Sequence, residues 1–156
     1  MLFDQDWTLQ LIIIGQIVLA MILGGLIGFE RELANKPAGF RTHTLVAGAS
    51  AAFMGIAAAT VNHFHPELGV RGVAEDLLRI PAAIITGVSF LGAGTIFREV
   101  GSGKIGGLTT AATIWVAAAV GITTAAGQLL VAFALTVVAL TVLRGMKWLE
   151  RIESSK

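Results

Sequence analysis

The chain has no cysteine, only 13% of its residues are charged, and its formal net charge is +1. Without thiols there is no disulfide, no cysteine nucleophile and no thiolate metal site. Soluble domains carry about 25% charged residues. A large core does not account for that deficit, but a bilayer as solvent does. The near-zero balance of charge gives no reason to expect nucleic acid as a partner, since that needs a basic footprint. The first ten residues, MLFDQDWTLQ, lack the basic start of a signal peptide, so the first apolar segment is expected to stay as a membrane helix. Catalytic patterns are missing as well: there is no HExxH, the serines are scattered, and no Ser–His–Asp triad is suggested. A non-enzyme is expected.

What is present is grease: 55% of the chain is hydrophobic and mean hydropathy is +0.81. Leu9–Gly28 is uncharged and has the roughly 20 residues that cross a hydrocarbon core. Further spans are expected over about 44–61, 81–97, 108–126 and 129–143, the third with Pro81 in its first helical turn. Four spans remain an alternative if one of the last two is short or re-entrant. The fold class expected is all-α, a polytopic membrane helical bundle forming a single transmembrane domain, 1–156, with no C-terminal soluble domain expected. Lys and Arg set orientation. Nine of them fall in 28–43, 98–107 and the C-terminal tail, against two, Arg71 and Arg79, in the other set of loops. The N-terminus is therefore expected outside and the C-terminus in the cytoplasm, with Trp7 and Trp148 as interfacial anchors.

Lipid gives helices no hydrophobic reason to associate, so small residues at contacts carry the packing. Gly24 and Gly28 form such a ridge on the first span; Gly87, Gly92 and Gly94 are the corresponding candidates on the third. The first ridge runs into the segment GFERELANKPAGFRTHT (28–44), where charge concentrates. Lys36 and Arg41 satisfy topology alone. Glu30 and Glu32 do not, and near a membrane edge unpaired carboxylates are costly. They either pair with Arg31, Arg41 or Arg98, or bind a cation. Together with Thr42, His43 and Glu99 these residues make a candidate polar network at the cytoplasmic edge. Thr42 is placed to cap the second helix, and His43 is expected as a packed histidine.

Thr109, Thr110 and Thr113 open the fourth span behind a glycine-interrupted third one, a pattern that lines polar sites in transporters. Threonine hydroxyls also bond their own helix backbone, which is the plainer account. GSGK (101–104) lacks the flanking residues of a phosphate loop and reads as a turn. NHFHPEL (62–68) offers His63, His65 and Glu67 as weak metal candidates, and GVAEDLLRI (72–80) reads as a short surface helix.

GGLIGFERE…KPAGFRTHTLV (24–46) and GVSFLGAGTIFRE…GGLTTAATIWVAAAVG (87–121), in this order, resemble the MgtC/SapB family of bacterial multi-pass inner-membrane proteins. The resemblance implies about five spans and a role in adaptation to low Mg2+, with survival inside host cells for some members. It implies either a regulatory or interaction protein, with partners such as ATP synthase, or a small Mg2+ or proton channel or transporter. No cofactor is implied beyond Mg2+, whose binding stays open. Gly39 and Trp115 also match motif positions. Lipid and a second copy of the chain are the remaining expected partners, in the bacterial cytoplasmic membrane.

Overall fold

A computed structural model describes residues 7–64, 69–98 and 103–153, with side chains over 7–60, 78–98 and 103–145. The element order is α1 (Trp7–Leu33), α2 (Phe40–Phe64), α3 (Gly69–Gly94), β1 (Phe97–Arg98), β2 (Ile105–Gly106), α4 (Leu108–Ala125) and α5 (Leu129–Glu153). The all-α expectation is met. α1, residues Phe40–Thr60 of α2, and α4 are each long and apolar enough to cross a membrane. Leu78–Gly94 and Leu129–Gly145 are shorter apolar helices.

The helices overrun the hydrophobic segments that announce them. α1 continues past Gly28 through Glu30 and Arg31, and ends where Asn35 takes φ 52°. There Lys36 N–H donates to Arg31 O at 3.0 Å and Asn35 N–H to Glu32 O at 2.9 Å, a closing pair of bonds that satisfies the last carbonyls. The AAGQ turn after α4 repeats this device, with Gly127 at φ 74° and Gln128 N–H donating to Thr123 O at 2.9 Å. α3 departs furthest from expectation. It begins at Gly69, so Pro81 lies inside the helix, and the surface helix expected over 72–80 is its first part. Pro81 cannot donate to the carbonyl four residues back. One missing bond does not end a membrane helix whose remaining backbone groups are satisfied within it. Past Gly94 the chain leaves the helix, and the glycine-rich turn is carried by antiparallel β1 and β2, with Phe97 opposite Gly106 and Arg98 opposite Ile105.

α4 sits in the middle and touches each of the other four helices. Its buried face is mostly small or polar, Thr110, Thr113, Ala117, Ala118, Gly121 and Thr124, with Ile114 and Val120 as its two large apolar members. Among the described residues, five of the eight largest fully buried side chains are polar: His43, Ser50, Thr110, Thr124 and Thr136. Large apolar side chains lie outside instead, among them Leu11, Ile14, Ile22, Phe53, Phe90, Leu130 and Val137. A water-soluble protein does not clothe itself this way. Helices in lipid do, because the solvent is as apolar as leucine and packing depends on close approach of small residues. The chain is a membrane protein on this ground as well as by helix length. Most hydroxyls bond their own helix, as Thr124 Oγ1 does to Val120 O at 2.7 Å and Thr136 Oγ1 to Ala132 O at 2.9 Å.

Candidate functional site

The site starts from two glycines. A methyl group built on Gly24 would stand 2.8 Å from His43 O and 2.5 Å from Ala47 Cβ. One built on Gly28 would stand 2.7 Å from Gly39 O and 2.9 Å from His43 Cβ. Only a bare backbone lets the start of α2 come this close to α1. That approach buries His43 completely.

His43 is then held between two helices and a loop. Its Nδ1–H donates to Gly39 O at 2.9 Å, and Nε2 stands 2.9 Å from Thr113 Oγ1 on α4. The Thr113 hydroxyl in turn reaches Thr110 O at 2.9 Å. One hydroxyl proton serves two acceptors here. A neutral ring takes it at Nε2; a protonated ring donates to Thr113 and leaves it for Thr110. The imidazole thus ties α2 to α4 in either state.

Beside it, Arg31 Nε and Nη2 both lie 2.7 Å from Glu30 Oε2, and each residue is only 3% exposed. Arg31 is an electrostatic neighbour of His43. The pair is therefore an internal one, with charge balanced next to the histidine. The turn that follows is also anchored. Ala38, in the Lys-Pro-Ala-Gly stretch, is buried in a cluster with Val88 of α3 and Ile114 and Ala118 of α4. Four helices meet around the His43 end of the bundle.

Of the residues expected in one polar network, Glu30, Arg31 and His43 come together, joined by Thr110 and Thr113 from the separate group of candidate lining threonines. Glu32 has another job. Its Oε2 accepts Phe40 N–H at 2.9 Å and so caps α2. Thr42, expected as that cap, lies inside the first turn because α2 begins two residues before it. Arg41 is exposed with no ion pair among the described residues. Arg98 is exposed on β1, where Nε donates to Gly103 O at 3.4 Å, and it does not reach Glu30. Thr109 is exposed. Glu99 and the metal candidates His63, His65 and Glu67 fall outside the described side chains. Of the third-helix glycines, Gly92 faces Ala111 and Trp115 at 3.7 Å, while Gly87 and Gly94 face open space. The tightest crossing was not singled out from sequence at all: Gly121 of α4 lies against the Ala47 carbonyl, with Ser50 Cβ 2.8 Å from where its own Cβ would be.

The cap gives a first prediction. Glu32→Ala is expected to lower stability in detergent by about 1 kcal/mol, the usual worth of a lost helix cap. Glu32→Gln, which keeps the acceptor, is expected to melt like the native protein. Thermal melts followed by circular dichroism check both.

The arrangement offers a charge-balanced polar core, not an open ligand set: no group of three or more His, Asp or Glu stands together among the described residues. Comparison with known proteins agrees with the motifs. The MgtC family model matches residues 17–152. Protein SapB of Bacillus subtilis is 37% identical over 146 residues, 94% of this chain and 61% of that protein. Protein MgtC of Brucella abortus is 43% identical over 108 residues, 69% of this chain and 40% of that protein. The Escherichia coli protein named "Putative magnesium transporter YhiD" is 43% identical over 113 residues, 72% of this chain and 50% of that protein. The chain thus spans less than two thirds of the length of these curated relatives. No solved structure matches it. With both signature stretches inside the matched region, and the glycine ridge and threonine-lined helix they encode both packed on His43 of α2, the chain belongs to the MgtC family.

Proposed function

We propose that this chain is a multi-pass protein of the bacterial cytoplasmic membrane, N-terminus outside, that acts without catalysis as a regulatory or interaction protein in adaptation to low Mg2+. The observation that carries this reading is the buried Glu30–Arg31 pair, in which one carboxylate oxygen, Oε2, takes two guanidinium nitrogens. A pathway for a divalent cation needs carboxylate oxygen directed at the ion or its waters. Here the carboxylate at the centre of the site is already matched to a guanidinium and buried with it. A scaffold that holds its shape and presents helix faces to another membrane protein, or to a second copy of itself, needs this kind of locked core.

The second reading is a small Mg2+ or proton transporter, favoured by the name of the Escherichia coli relative. Purified protein in liposomes, loaded with a Mg2+ dye or a pH dye, separates the two. No flux above that of empty liposomes is expected. Flux through the native protein above that of empty liposomes overturns the regulatory reading.

A further inference from the structure

A long groove runs between α2 and α3, with a cavity volume of about 760 Å³. Its walls are apolar, from Leu45, Ala49 and Phe53 on α2 to Ile84 and Leu91 on α3. It exists because α3 brings Ala83 and Gly87 where larger side chains would fill the space; a methyl built on Gly87 would meet nothing within 4 Å. Among the described residues one charged group lines it, Arg79, at the end of the apolar stretch Leu78–Gly94. Arg79 is exposed and has no ion pair among the described residues.

From these features we infer that the groove is a binding site for an anionic phospholipid, one acyl chain lying between α2 and α3 and the phosphate on Arg79. Length supports this occupant. From Arg79 to Leu91 the helix rises about 18 Å, close to one leaflet of a hydrocarbon core roughly 30 Å thick. Charge is complementary: a guanidinium presents its fork to phosphate oxygens, and at the end of the apolar stretch of α3 it reaches the headgroup level. This site is separate from the His43 core and does not depend on the regulatory reading.

Native mass spectrometry of the full chain tests it, using detergent-purified protein incubated with phosphatidylglycerol or phosphatidylcholine. One retained phosphatidylglycerol per chain is expected, favoured over phosphatidylcholine. Arg79→Gln is expected to reduce phosphatidylglycerol retention about tenfold, the worth of one charge-assisted hydrogen bond, and to remove the headgroup preference. Gly87→Leu places a side chain in open groove space, so it is expected to fold normally and to lose retention of both lipids. Equal retention of the two lipids by the native protein, or retention unchanged in both variants, overturns the site. Because the chain has no cysteine, Ala83→Cys also reports a competing occupant cleanly. Efficient disulfide dimers in native membranes would put a second copy in the groove and overturn the lipid assignment.

Discussion

Gly121→Ala is expected to destabilise the bundle by about 3 kcal/mol, at the upper end of what one added methyl costs in a packed core. Gly121→Leu is expected to yield no folded protein. The new carbon would fall on the Ala47 carbonyl and within 3.0 Å of Ala51 N. These are backbone atoms, so no rotamer change makes room. Nor can α2 step back, because Ala47 is pressed on its other side by Gly24 of α1. Ala47 is wholly buried in a cluster with Ala20, Ala51 and Ala117. Steric cost has to overcome the helix propensity that alanine gains over glycine, about 1 kcal/mol, and here it does. Gly15→Ala and Gly145→Ala provide the control, since neither site has an atom within 4 Å of an added Cβ. Both are expected to melt at or slightly above the native temperature. Melting of all three variants in the same detergent checks the contrast. A Gly121→Ala protein as stable as the Gly15→Ala protein would mean that α2 and α4 do not cross at Gly121.

Sequence made the helices and the first glycine ridge legible because both are periodic. Gly24 and Gly28, four apart in an uncharged run, say which face of α1 is close to something, and it is α2. The same logic applied to Gly87 and Gly94 identifies a face but not its neighbour, and the structure leaves both facing open space. Spacing reports which residues share a stripe; it cannot say whether the stripe is covered by the same chain. The start of α3 is not legible, because Pro81 looks like a first-turn proline, whereas a membrane helix absorbs one missing bond. Glu30 and Arg31 were legible as polar groups too close to lipid to stand alone. The link between His43 and Thr113 was not. Each residue stands out locally, but 70 positions separate them, and no local pattern encodes which threonine on one helix meets a histidine on another. Gly121 was hidden among the alanines and glycines around it, whose composition signals close packing without ranking the contacts.

The Glu30–Arg31 pair is where charge and fold are most tightly coupled. Arg31→Ala is expected to cost about 3–5 kcal/mol, because it leaves a carboxylate buried without its cation. Glu30→Gln is expected to be similarly damaging, since the guanidinium then keeps its charge in the same dry place. The double variant Glu30→Gln, Arg31→Met removes both charges while keeping much of the volume. It is expected to recover about 2 kcal/mol relative to the sum of the single changes, within the range of coupling between residues in contact. The sign of that coupling carries the argument. Two charges that merely sit on a solvated helix end would give single losses of at most about 1 kcal/mol and almost no coupling. Exposure of only 3% for each residue, and two guanidinium nitrogens at 2.7 Å from one carboxylate oxygen, place the pair in the other regime. Reversing the pair, Glu30→Arg with Arg31→Glu, tests whether balance alone suffices. The positions point differently off the helix, one step apart, so the swapped guanidinium would no longer stand where Arg31 neighbours His43. The swap is expected to fold less well than the Gln–Met variant despite its neutral sum. A swap as stable as the native protein would reduce the pair to charge balance and detach it from the histidine.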